Sequence, residues 1–198
     1  MRLRSILPAI LLCVLTAPSL LRAQHVRTAS LTEAEIEMVR ESAVYPAERV
    51  KLYTKFLEER AARIKDLTGR TKSAQRVLKL DDALQDFTAL MDETGSNLDQ
   101  YSDRHSDIRK ALKPLTEAMP RWLSILRTLP GESGFDLARK EAIESGEELS
   151  DQATRLLREQ EDYFATHKDE KNQERNDDSV KSGDTKPADS KPSPKPRG

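Results

Sequence analysis

Asp103, His105 and Asp107, within YSDRHSDIRKAL at residues 101–112, are the side chains whose types and spacing come closest to chemistry. An imidazole flanked by carboxylates can hold a divalent cation, or move a proton while a carboxylate orients the ring. Either use needs more partners than this stretch supplies. A metal site on a helix takes a second ligand at His-x-x-x-His or Glu-x-x-His spacing, and Ser102 and Arg109 occupy those positions. The other histidines, His25 and His167, fall outside the helical unit read below. Calcium would want carboxylates converging from a loop that a glycine allows to turn, a pattern absent here. Asp99, Asp103 and Asp107 are spaced four apart, so on a helix they line one face. Like charges at that spacing oppose a helix by about 0.2–0.5 kcal/mol per pair. They are therefore expected to be solvated, or balanced by Arg104 and Lys110 or by a basic edge at Arg60–Arg63 or Arg155–Arg158.

Other routes to catalysis are missing. There is no Gly-rich phosphate loop, no G-x-S-x-G and no H-E-x-x-H. The acid pairs Glu58–Glu59 and Glu147–Glu148 are sequence neighbours, which diverge on a helix and cannot address one substrate atom. No catalytic, cofactor-binding or metal residue is predicted, and no cofactor. Trp122, the one tryptophan, together with Tyr101 and His105, are the candidate interaction residues. Each stands in an apolar helical seam, where an aromatic side chain normally faces another helix of its own fold; an interface hot spot is the functional alternative. For His105 this predicts an interhelical position contributing packing and one hydrogen bond. Arg60, also in a seam, reads as an edge residue whose stem lies on apolar surface and whose head reaches water.

The elements that would carry these residues are helices. From Val77 to Leu129 apolar side chains recur at alternating gaps of three and four, with only Thr94 and His105 as exceptions. That is the narrow stripe of a coiled-coil-like helix. Ile36 to Leu67 and Phe135 to Tyr163 carry similar seams, and no mature segment alternates with the period of a strand. The predicted fold is all-α: a long antiparallel three-helix coiled-coil-like bundle, with helices at about 31–67, 72–129 and 134–166. Ser30 with Glu33 is the expected capping box of the first helix. Gly69 stops that helix and Thr71 caps the next; LPGESG at 129–134 ends the second, and Ser133 with Asp136 caps the third. Pro46, Pro114 and Pro120 are expected as kinks inside helices, because the register crosses each without a slip. TGSN at 94–97 is a competing turn signal. A reversal at Gly95 would give a compact four-helix bundle, and the unbroken register favours continuity.

The two ends differ from the middle. Arg2 and Arg4, the apolar run ILPAILLCVLTAPSLL and LRA before Gln24 predict an export signal over 1–23, followed by a linker at 24–30. The run is shorter than the ~20 residues that span a bilayer, and holds two prolines. Cys13 lies inside it, so a mature chain has no thiol for a disulfide, a nucleophile or a metal. From 168 to 198 almost no apolar side chain occurs, charges of both signs alternate, and KPSPKPR closes the chain; a disordered tail is expected. Between the ends carboxylates outnumber basic residues, and the basic residues are scattered without aromatics. Nucleic-acid binding has no support from that pattern.

LTEAEIE at 31–37 resembles the Leu-Thr-x-x-Gln element of small envelope-stress chaperones over a few residues, with Glu35 in place of the Gln and no second copy. That resemblance implies an exported, helical chaperone. The primary reading is different: an exported, periplasmic or extracellular, non-enzymatic helical protein that serves as an interaction or structural module of the periplasm or cell envelope. It would bind a protein partner or itself through coiled-coil surfaces. Nucleic acid, a small-molecule substrate and stable membrane insertion after signal cleavage are not expected.

Overall fold

The structure, a computed structural model, describes residues 30–168. The expected export signal, nearly all of the linker, and the tail from 169 onward lie outside the described residues. Within them the chain is all-α, with five helices and no strand. Among the described residues no helix is long and apolar enough to cross a membrane.

Helix α1 spans Glu33–Glu41 and helix α2 spans Pro46–Gly69. The single helix expected over 31–67 is thus two. Pro46 is the first residue of α2 rather than a kink, because that position needs no backbone N–H and the proline ring presets its φ. Tyr45 before it is extended, as a residue preceding proline prefers to be. The capping box exists, but two residues later than expected: Thr32 Oγ1 accepts from Glu35 N, and Glu35 Oε2 accepts from Thr32 N at 2.7 Å. The resemblance of LTEAEIE to a chaperone element therefore has a local explanation, since its Thr and Glu are the two halves of this cap. Gly69 ends α2 as expected.

Helix α3 spans Ala74–Asp103, helix α4 Arg109–Thr128 and helix α5 Asp136–Thr166. The single helix expected over 72–129 is interrupted at residues 104–108, and the alternative reversal at Gly95 does not occur either. Two separate helices of one bundle each carry a core-facing seam. The interruption falls between Tyr101 and Ile108, seven residues apart, so it leaves the count of threes and fours intact. Gly95 lies inside α3 for another reason. A Cβ there would meet Gln152 Oε1 of α5 at 2.8 Å, and Gln152 Nε2 donates to the Gly95 carbonyl at 3.0 Å. The glycine admits a neighbouring helix instead of turning the chain. Caps also moved: Ser73 rather than Thr71 caps α3, and α5 starts behind Phe135 with no side-chain cap, so Ser133 does not serve. Pro114 and Pro120 do lie inside α4.

Helix α2 packs on α3 and α4, α5 packs on the same two, and α1 touches α2 alone. The consecutive helices α3 and α4 do not lie side by side. Their side chains meet across the middle of the core, where Phe87 and Trp122 stand edge to face at 6.1 Å. Around them the buried Tyr53, Leu84, Leu112, Leu149 and Leu156 fill the interior, each worth about 1.5–3 kcal/mol of transfer free energy relative to exposure.

Candidate functional site

The residues singled out from the sequence sit at two depths. Trp122 is buried beside Phe87, and its Nε1 donates to Glu58 Oε2 at 2.7 Å. Glu58 also takes Arg121, so the indole N–H and the guanidinium share one carboxylate. Tyr101 is buried as well. Its hydroxyl donates to Asn97 Oδ1 at 3.4 Å, and the Arg49 guanidinium stands 6.0 Å above its ring. Asn97 Nδ2 donates to the Glu93 carbonyl at 2.8 Å, and the Tyr53 hydroxyl donates to Glu93 Oε1 at 2.7 Å. Burial pushes both phenols upward; for Tyr53 the Glu93 carboxylate adds to the rise, while at Tyr101 the Arg49 and Arg104 charges oppose it. Neither phenol is activated, and both serve to satisfy polar atoms in the α2–α3 interface.

His105 is not a seam residue. It is exposed, in the turn between α3 and α4, with a left-handed φ of 50°. Ser106 N bonds to Tyr101 O and His105 N to Ser102 O, both at 3.0 Å, which is the paired bonding of a Schellman motif with His105 where glycine usually stands. Its ring stacks on Tyr163 at 4.7 Å, and His167 stacks near Tyr163 at 4.1 Å. The left-handed backbone changes what a substitution there should do. His105→Leu was expected from the seam reading to complete the heptad. In the observed turn it should instead destabilise by about 1–2 kcal/mol, because a branched apolar side chain is strained at positive φ. His105→Gly relieves the strain and loses the stack, so it should stay within about 1 kcal/mol of wild type. Urea melts of the two variants check the order; leucine above glycine would contradict it.

The carboxylates do not line up either. Asp99 and Asp103 are on α3, but Asp107 is in the turn, buried, and gripped by Arg109 at 2.8 and 2.6 Å. That grip holds the Arg109 guanidinium in its charged form, and the guanidinium covers the Phe164 ring at 4.6 Å. Beneath the turn the buried Gln160 of α5 reaches up. Its Nε2 donates to Ser106 O at 2.8 Å and its Oε1 accepts from Ile108 N at 3.1 Å. One side-chain amide thereby replaces the backbone partners that the turn lacks. Nothing in the sequence pattern marked Gln160 beyond its place in the α5 seam. Among the described residues no cluster of three or more His, Cys, Asp or Glu is arranged to hold a metal ion.

Arg60 is more than an edge residue. Its guanidinium takes both oxygens of Glu35, at 2.8 and 3.0 Å, and donates to Ser30 O at 2.8 Å. The pair is 13 % and 10 % exposed. The Arg60 bond, aided by the Thr32 backbone, outweighs burial and lowers the Glu35 carboxyl from 4.5 to about 2. A folded pKa depressed below the unfolded one gives stability that is present above pH 4.5 and lost as pH falls toward 2. Its loss should amount to about 1–3 kcal/mol, allowing for partial solvent screening. Thermal melts across that range test this: Glu35→Gln should flatten the acid limb, and an unchanged limb would remove Glu35 as its source.

A recess not foreseen from the sequence runs between α3 and α5. It encloses about 650 Å³ and is lined by Asp92, Asp99, Glu148, Asp151 and Arg155 above Gly95, Ser96 and Ser145. Ser145 Oγ donates to Asp92 and Gln152 Nε2 to Asp99, each at 2.6 Å. The small residues open the recess and the carboxylates make it negative, without bringing an acid and a base onto one point. The sequence signal was the run of small residues at 95, 96 and 145 among acidic positions. No family model matches the chain, and no curated protein or solved structure is significantly similar to it.

Proposed function

We propose that this chain is an exported, non-enzymatic protein acting as an interaction or structural module of the periplasm or cell envelope, its folded part a four-helix bundle of α2 to α5 with α1 strapped onto α2. The observation that carries the reading is the α3–α5 recess. It offers negative charge and hydrogen-bond acceptors along a shallow face, with Asp92 and Asp99 already occupied by Ser145 and Gln152. Such a face suits a basic partner surface, whereas catalysis would need polar groups converging on one reacting atom. The residues with chemical potential elsewhere are committed to structure: Tyr53 and Tyr101 to Glu93 and Asn97, Asp107 to Arg109, Glu35 to Arg60. Export rests on Arg2, Arg4 and the apolar run that follows them.

A photo-crosslinking residue placed at Ser96, in protein expressed with its N-terminal segment, tests the reading. The expected result is one discrete adduct in the envelope fraction, lost when Glu148 and Asp151 are changed to lysine. Adduct formation indifferent to that charge reversal, or a mature N-terminus that still carries residues 1–23, would overturn it. The chaperone alternative calls for a broad apolar face. The large exposed apolar side chains Ile36, Val44, Tyr45, Leu78 and Leu137 are divided among α1 and its hinge, α3 and α5.

A further inference from the structure

We propose that the seat of α1 is a helix-docking site that a second copy of this chain fills, so that two copies exchange their α1 helices. The inference stands on the seat alone and does not depend on the α3–α5 recess. A helix of nine residues is too short to persist in water by itself. What holds it is recognition of one face, where Leu31, Glu35 and Val39 are buried at spacings of four. The seat answers that face group by group. Arg60 grips both Glu35 oxygens and the Ser30 carbonyl, and Glu93 of α3 accepts from the Ser30 hydroxyl. The matching ligand is thus an acidic, Thr-capped helix with two aliphatic side chains, and every further copy of this chain carries one.

The connection allows the exchange. Helix α1 packs on α2 only, through a hinge at 42–45. Tyr45 is already extended ahead of Pro46, with φ −120° and ψ 92°, so the hinge can open without disturbing α2. Three apolar side chains on α1 and its hinge are left uncovered: Ile36, Val44 and Tyr45 are 41, 41 and 42 % exposed. A single copy gives them nothing to pack on, whereas two hinges crossing at a twofold axis would bring each set against its equivalent. Exchange of an identical element is a low-cost route to a closed dimer.

Charge reversal provides the test. In Glu35→Arg the helix presents a cation to Arg60, and in Arg60→Glu the seat presents a carboxylate to Glu35, so neither chain can seat its own α1. Mixed together, each α1 finds a complementary seat only on the other chain. The expected result is a 1:1 heterodimer by light scattering, with the melting temperature of both variants raised. The double variant on one chain restores its own pair and shows that the fold tolerates both changes. A mixture that remains two monomeric species would overturn the proposal. A second measurement needs no variant: wild-type chains of natural and heavy isotope content, refolded together at high concentration, should yield dimers of mixed mass by native mass spectrometry. Monomers alone would overturn it equally.

Discussion

Gln160→Leu should destabilise the fold by about 2–5 kcal/mol, although leucine matches the glutamine in bulk and the site is buried. The amide is the partner of two backbone groups in the α3–α4 turn, the Ser106 carbonyl and the Ile108 N–H. Removing it leaves both buried and unsatisfied, each at about 1–3 kcal/mol. The effect should exceed that of an ordinary core truncation of equal volume, because water has little access to the turn from below. Gln160→Glu keeps an acceptor for Ile108 N but sets an oxygen against Ser106 O, so it should fall between leucine and wild type near neutral pH. Equilibrium unfolding in urea at unchanged slope is the measurement. A loss under about 0.5 kcal/mol for leucine would mean that the turn does not depend on this amide.

Trp122→Ala should cost about 3–5 kcal/mol, the range for deleting a large aromatic from a packed interior. The indole fills the centre of the bundle against Phe87, and the cavity would be walled by helices fixed on all sides. Trp122→Phe separates packing from bonding. It retains most of the ring contact and drops the bond to Glu58, whose side chain is 49 % exposed and can take a water instead. That variant should cost about 1 kcal/mol. The pair also discriminates between a core tryptophan and a binding hot spot. A hot spot would leave the melting temperature of the isolated protein nearly untouched when truncated, and would weaken only association.

The helical class and the inward faces were legible in the seams. Val77 to Tyr101 and Ile108 to Leu129 are largely core, as their spacing required. The chain reversal was not, because its signal is a Schellman motif with histidine in the place of glycine. A left-handed residue is advertised by glycine and disguised by any other type. TGSN advertised a turn and was overridden by tertiary packing, since Gly95 gives room to Gln152. Pro46 was misjudged for a related reason: the heptad count runs on through a short hinge whenever the hinge length completes a repeat. Trp122 and Tyr101 were correctly placed among aromatic seam positions, and their burial follows from that placement. The Arg60–Glu35 pair and the Gln160 bonds escaped notice because each joins residues far apart in sequence, which periodicity along one helix cannot pair.

Consecutive helices α3 and α4 sit across the core from one another, and this bears on how the chain finds its shape. The neighbours that a short connection brings together are α2 with α3 and α4 with α5. Each of those pairs is a helical hairpin whose contacts are local, so each can form early with little loss of chain entropy. The remaining interfaces, α2 with α4 and α3 with α5, join the two hairpins and close much longer loops. The slow step of folding is then the docking of two preformed halves, with Phe87 and Trp122 meeting only as they close. Substitutions at that aromatic contact should therefore slow folding more than those inside either hairpin, and a chain still being synthesised has no complete core until α5 has emerged.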